Sequence, residues 1–469
     1  MAHLLRQRTV SLLSLLAGCA VVPGATVHFF GETEVAFPSG IHFFAIGISA
    51  GLAAAAAVAL TVAGAKRGDA RSVLIGTAFS SMAALLAVHG LTTPGFLVED
   101  NGLVAFSGAA TLPVGGAVLA LSAIAELRRP SAVRPVLVLQ AGLLAVIISL
   151  GVAGILMPSL VPGVPEAASL SAYIVMVVGL VFYGGLAARA GRTYLLTRRL
   201  ADLAVVYGLV LLGVALVPGL LLHYYELGWW LGHAWELIGI GLVGVPVALD
   251  LHRGAQSRPL AGDLRASDLV SAADAFMGPT VRALLVRLAA KDDYTAVHTR
   301  GVALRAVQVG EELGLPPTRL RELAIGGLVH DVGKLSVPNE ILQKPGALTA
   351  EEYDVIKRHP ELGSDLVRQL GFSAQVARLV LDHHERLDGS GYPRGLGAPD
   401  LNIETRILAV CDVFDALLSR RVYRPAWTLD KALELLSSES GTGFDPACVE
   451  ALERVIGREQ DSAARAAAA

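Results

Sequence analysis

The chain has 469 residues, of which 54% are hydrophobic and 17% charged, with a formal net charge of −3. That length calls for at least two domains, and the near-neutral balance offers no basic surface for a nucleic-acid polymer. Three scattered cysteines, Cys19, Cys411 and Cys448, suggest no disulfide framework and fit a catalytic half in a reducing cytosol.

Nearly all the hydrophobic excess lies before about residue 250. Apolar stretches recur at 9–30, 41–65, 72–93, 103–126, 134–157, 169–189, 202–225 and 229–250. Each has about the twenty residues that cross a hydrocarbon core of about 30 Å. The segments between them alternate in charge. Lys66, Arg67 and Arg71, then Arg128, Arg129 and Arg134, then Arg189, Arg192, Arg198 and Arg199 fall on every second connection. The intervening loops carry Glu32, Glu34, Glu99, Asp100 and Glu166 and no Lys or Arg. This alternation predicts eight membrane spans, with both termini in the cytoplasm. The first run has the basic start of a signal peptide but is long, and it reads as a retained helix.

Five histidines of this half, His28, His42, His89, His223 and His233, all fall near the outer ends of the spans, with Glu236 one turn inside His233. Ionisable groups at membrane depth are costly and usually functional. They read either as interfacial histidines or as a site for a periplasmic signal: a metal ion, haem or a proton.

After residue 251 the sequence becomes charged and amphipathic. Residues 252–289 read as a connector, helical from Ser267 and interrupted at Gly278-Pro279. Residues 290–457 read as an all-helical domain, and 458–469 as a disordered tail. Thr349 and Glu352 have capping-box spacing, Gly371 and Ser373 mark a stop and a new cap, and Asp445-Pro446 opens the last helix.

All five histidines after residue 252 belong to a restricted set of positions: His298, His330-Asp331, His359 and His383-His384, joined by Asp412. A lone histidine on a helix is more often packed than ligating, but here every histidine of the region sits in the pattern. Mixed His/Asp ligation suits iron or manganese better than structural zinc. An Asp directly after a His lets one carboxylate bridge two metals, and such a pair can activate water and clamp phosphoester oxygens.

These residues carry a resemblance. The series Tyr294-Thr295-Ala296-Val297-His298, His330-Asp331-Val332-Gly333-Lys334, His359-Pro360, His383 through Pro393, Asp412-Val413-Phe414-Asp415-Ala416-Leu417 and Phe444-Asp445-Pro446 is similar to the HD-GYP family of HD phosphohydrolases. It covers about a third of the chain. The resemblance implies an all-α HD-type metal hydrolase after the eight-span membrane domain, in a bacterial inner membrane, and hydrolysis of cyclic di-GMP to linear pGpG, with GMP as a further product. It implies two divalent ions held by His298, His330, Asp331, His359, His383, His384 and Asp412. It also implies Asp331 and Lys334 as catalytic residues, and Lys334, Tyr392, Arg421 and Arg424 as contacts to substrate. The expected assembly is a homodimer in a lipid bilayer.

The sequence departs from the family in four places. Tyr294 stands where some members have a third-metal Glu, Gly301 where an arginine is common, and Arg420 and Val422 where an acid and a proline are usual. Two other readings stay open: a related hydrolase acting on another cyclic dinucleotide, and a nucleotide-binding receptor with little activity.

Overall fold

In a computed structural model of the chain, the structure describes residues 12–35, 37–94, 102–124, 127, 130–157, 159, 161, 167, 169–223, 225–252, 266–291, 295–419 and 425–467. Among these residues the regular elements are helices, with isolated bridges and no strand. The chain divides between residues 263 and 264 into two compact units.

The first unit holds α1 (Leu12–Phe30), α2 (Ser39–Arg67), α3 (Ala70–Leu91), α4 (Gly102–Ala120), α5 (Val133–Leu156), α6 (Leu170–Thr197), α7 (Leu200–Leu221) and α8 (Leu227–His252). One helix falls on each apolar run, although α6 continues well past the expected end at residue 189. Helices α2 to α8 are long and apolar enough to cross a membrane, and α1 is a 19-residue apolar helix. Large side chains stand uncovered on the outer helices, among them Val138, Val146 and Leu156 on α5 and Leu170, Ile174 and Val181 on α6. In water such a belt would be an aggregation surface, whereas in hydrocarbon it is the face that meets solvent. The unit is a multi-pass membrane bundle.

Its centre is α3, where 78% of the apolar window is buried, against 17% for α5. Phe79, Met82 and Leu86 fill that centre. Buried Thr77 and Ser81 return their hydroxyls to the carbonyls of Val73 and Thr77, so these two hydroxyls are satisfied within the helix. At one end of the bundle Arg199 donates to Asp250 at 2.5 Å and Thr197 to Asp202. At the other end the α1–α2 loop is bonded to the approach to α8. Val35 donates to the Tyr225 carbonyl and Leu227 to that of Thr33, both at 2.8 Å.

The second unit holds α9 (Ala266–Phe276), α10 (Gly278–Lys291), α11 (Thr295–Glu312), α12 (Pro317–Val329), α13 (Asn339–Leu342), α14 (Ala350–Lys357), α15 (His359–Gln369), α16 (Ala374–Asp382), α17 (Ile403–Leu418), α18 (Leu429–Ser438) and α19 (Pro446–Ala467). Helices α9 and α10 meet at 109° across Gly278, whose φ is +70°, so the expected break is present. They are more than a connector, however. Helix α9 packs on α11 and α12, and Arg300 donates to Ser271 at 2.9 Å. The unit therefore begins near residue 266 and not at 290.

The expected disordered tail also needs correction, because α19 runs to Ala467. Its buried stripe of Val449, Leu452, Val455 and Ile456 joins the core. Pairs from Arg305 and Gln308 to Glu459, and from Arg454 and Arg458 to Glu312, hold its outer edge. The caps are as expected. Thr349 and Glu352 make both bonds of a capping box, Ser373 accepts from Val376, and Asp445 accepts from Ala447. Helix α17 is the central rod, with Ile407, Leu408, Val410, Cys411 and Phe414 buried on its core faces. Burial pushes the Cys411 thiol up, which leaves it a packing residue.

Candidate metal centre

Helix ends do most of the positioning. His298 lies in the first turn of α11, His330 closes α12, His359 opens α15, and His383 and His384 follow α16. A helix terminus releases the backbone from its ladder, so these rings can all turn toward one point. Asp331 enters a short 3-10 turn, Val332–Ser336, that carries Lys334. Asp412 lies inside α17 and is buried.

All seven expected ligands converge. Asp412 is 3.0 Å from His298 Nε2 and 3.7 Å from His330 Nε2, through the same oxygen. Asp331 Oδ1 is 3.3 Å from His359 Nε2 and 4.0 Å from His383 Nε2. Its other oxygen is 3.6 Å from His330 Nε2 and 4.0 Å from His298 Nε2. Two groups result, His298 with His330 and Asp412, and His359 with His383 and His384. The Asp331 carboxylate stands between them with one oxygen toward each.

The far side of each ring fixes its tautomer. His330, His359 and His383 each place Nδ1 2.8 Å from the carbonyl three residues earlier, those of Gly327, Ile356 and Val380. A carbonyl only accepts, so Nδ1 carries the proton and Nε2 presents a lone pair to the centre. The Nε2 atoms of His359 and His383 then face each other at 3.3 Å, and buried His330 Nε2 has no hydrogen-bond partner. Lone pairs aimed at one another in a buried space are what a cation would satisfy. The donor set fits divalent metal ions.

Electrostatics agree. Burial acts to raise the Asp331 and Asp412 carboxyls, yet both are held well below the usual range: Asp331 by Lys334 and its histidines, Asp412 by His298 and His330. Burial keeps His383 and His384 well down, hence neutral and able to ligate. His298 is the exception. Burial opposes its charge, but Asp412 and Asp415 raise it to about 9.

The residues expected at the substrate lie on the rim. Lys334 Nζ is 2.6 Å from Asp331 Oδ2 and its side chain is 13% exposed, so its ammonium sits at the edge of the carboxylate cluster. The Tyr392 ring lies 4.8 Å from that of His384. Arg421, Arg424, Tyr294, Arg420 and Val422 lie outside the described residues.

Five residues given no role from the sequence shape the centre. Asp415, one turn beyond Asp412, accepts from His298 Nδ1 at 2.7 Å. A Cβ at Gly301 would lie 2.4 Å from Asp415 Oδ1, so the glycine found in place of an arginine makes room for this contact. Glu385 accepts from the backbone of Arg394 and Leu396, and the Arg394 guanidinium pairs with Asp382 at 2.5 Å. Together they hold the loop around Tyr392. Asp415 was findable, since positions three apart share a helix face; the loop contacts required the fold.

The chain matches the HD domain family over residues 281–448. It is 45% identical over 185 residues to the cyclic di-GMP phosphodiesterase response regulator RpfG of Xanthomonas campestris, covering 38% of this chain and 48% of that protein. It is 37% identical over 214 residues to the cyclic di-GMP phosphodiesterase PA4108 of Pseudomonas aeruginosa, covering 45% and 51%. It is 36% identical over 183 residues to the 3'3'-cGAMP-specific phosphodiesterase 3 of Vibrio cholerae, covering 39% and 40%. The chain thus spans about half, or less, of the length of these relatives. The ligand series converges as the motifs require, and it lies within the residues that match the HD domain family.

Proposed function

We propose that the C-terminal unit hydrolyses one phosphodiester bond of cyclic di-GMP, releasing linear pGpG, under the control of the membrane unit. The observation that supports this most is the Asp331 carboxylate, set with one oxygen toward each of two histidine groups. The names of the relatives supply the substrate class.

Two divalent ions, iron or manganese, would be held by His298, His330 and Asp412 and by His359, His383 and His384, sharing Asp331. When bound they would supply an activated water and charge neutralisation at the phosphate. The protein's own groups do the rest. Asp331 fixes the spacing of the two halves. Lys334 holds a positive charge at the edge of the cluster, where negative charge develops on a phosphoryl oxygen. Tyr392, beside His384, closes the rim against a base of the dinucleotide, and Arg421 and Arg424 bind its phosphates. Asp415 and the carbonyls of Gly327, Ile356 and Val380 keep the rings in ligating tautomers.

A second reading keeps the chemistry and changes the substrate to 3'3'-cGAMP. The similarity to a cGAMP-specific phosphodiesterase favours weighing it. Further elements are a homodimer, both termini in the cytoplasm, and pGpG or GMP as the last product. The deciding experiment incubates full-length protein in detergent with Mn²⁺ or Fe²⁺ and either dinucleotide, and resolves products by chromatography. Faster turnover of cyclic di-GMP supports the first reading, faster turnover of cGAMP the second, and no turnover of either sinks both.

A further inference from the structure

The membrane unit contains a second convergence of histidines, and it follows the same bonding logic as the HD centre. His42 in the first turn of α2, His89 near the end of α3 and His233 in the second turn of α8 come within reach of one shared point. The α1–α2 loop bonded to the approach to α8 brings His42 to His233. His89 arrives from the neighbouring central helix. His42 and His89 are buried and His233 is half-buried.

Each ring is held from behind. His89 Nδ1 lies 2.6 Å from the Val104 carbonyl and His233 Nδ1 lies 3.0 Å from that of Trp229. Both nitrogens must donate, so both Nε2 atoms carry lone pairs. His42 Nδ1 lies 3.3 Å from Thr93 Oγ1, whose own hydroxyl is donated to the His89 carbonyl at 3.2 Å. The hydroxyl oxygen therefore accepts from His42, and His42 Nε2 is a third lone pair. His42 Nε2 and His89 Nε2 then face each other at 3.1 Å. Two acceptors at that distance repel unless a cation lies between them. Two imidazole nitrogens bound tetrahedrally to one ion at about 2.0–2.1 Å would be about 3.3–3.4 Å apart, close to what is found here and between His359 and His383.

The surroundings also suit an ion. A Cβ at Gly108 would lie 2.8 Å from the His89 ring, so α4 offers a glycine where the imidazole needs room. Glu236, one turn along α8 from His233, is buried with one carboxyl oxygen lacking a hydrogen-bond partner. Trp229 packs on His233 at 4.0 Å between ring centroids and closes one side. The other two outer histidines take no part. His28 packs edge-on against Phe29 at the surface, and His223 is exposed beside Glu226 and Tyr225.

We infer that His42, His89 and His233 form a binding site for a late first-row transition-metal ion, zinc or copper, with a coordination position left for water or a further ligand. Three imidazoles without a carboxylate suit these ions, in contrast to the carboxylate-rich HD centre. A metal here would join α2, α3 and α8, the last being the helix whose chain continues into the connector.

The test uses the full chain in detergent micelles carrying His330→Ala and Asp331→Ala, to remove the HD metals. It is equilibrated with micromolar Zn²⁺ or Cu²⁺, desalted, and assayed for bound metal. The expected result is one ion per chain, reduced at least tenfold by His89→Gln or His42→Gln and unchanged by His28→Gln or His223→Gln. No bound metal, or equal loss in His223→Gln, overturns the site and leaves a proton as the cation between the rings. If the glutamine variants fail to fold, X-ray absorption on the parent protein decides. First-shell scattering from three imidazoles supports the site, and a shell of oxygens or sulfurs overturns it.

Discussion

The chain holds two histidine clusters, and the contrast between them lies in the carboxylates. In both, rings are pinned through Nδ1 so that Nε2 lone pairs converge, with opposed nitrogens 3.1 Å apart in the membrane unit and 3.3 Å apart in the HD unit. The HD cluster adds Asp331 and Asp412, both held well below the usual carboxylate range, Asp331 by Lys334 and its histidines and Asp412 by His298 and His330. The membrane cluster has three histidines and no acid among its convergent atoms. Anionic ligands hold two dications close together and leave room for phosphate chemistry, whereas neutral imidazoles in an apolar bundle suit one ion held for its presence alone. The same side chain is thus suited to the proposed catalytic centre or to the proposed binding site according to the charge beside it.

The sharpest way to break the comparison is Asp331→Ala in the full chain. Loss of outer partners alone costs about 10–100-fold in metal affinity or activity, so loss of a shared ligand should exceed 100-fold in turnover and empty the HD centre. Metal at His42, His89 and His233 should be untouched. If metal analysis finds both clusters emptied together, they are not independent sites.

Next in size is Lys334→Ala. Removal of a charge-stabilising donor at a reacting centre typically costs roughly 10²–10³-fold in kcat, and metal content should be kept. An emptied HD centre in this variant would make Lys334 a structural partner of Asp331 and not a phosphate contact.

A smaller effect is expected from Asp415→Asn and from Gly301→Ala, which would push Asp415 from His298. Each should weaken metal retention by about 10–100-fold, with Asp415→Glu in between. Unchanged retention in both variants would mean that α11 alone positions His298.

The mildest test is of pH. In metal-free protein His298 is raised to about 9 by Asp412 and Asp415, above its ordinary value of about 6.5. Its contribution to stability is then complete below about pH 6.5 and lost as pH rises through about 9. The Tm of metal-stripped protein should fall over that window, and the fall should be absent in His298→Gln. A flat profile in the wild type would remove the proposed charge pair.

Much of this molecule was legible in the chain. Hydrophobic runs of about twenty residues marked eight helices, because backbone polar groups must be satisfied within each span and length alone reports the crossing. The HD ligands were legible because they sit in short recognisable patterns: a His followed by Asp, a His before Pro360, and paired histidines after a helix. Helix α9 was misread as connector because its stripe of Leu269, Val270 and Ala273 is too short to reveal what it packs against.

What the sequence determined by itself was the set of chemically able residues: seven ligands in the second half and five histidines near the ends of the spans in the first. Only the tertiary structure decided which of them meet. His42, His89 and His233 converge while His28 and His223 stand apart, although all five lie at similar depth in the pattern. Asp415 reaches His298 across 117 positions of chain. Depth in a bundle is written in local hydropathy, but the rotation of a helix about its axis and the choice of its neighbours are set by packing between distant segments. Those two quantities aim a side chain at its partner.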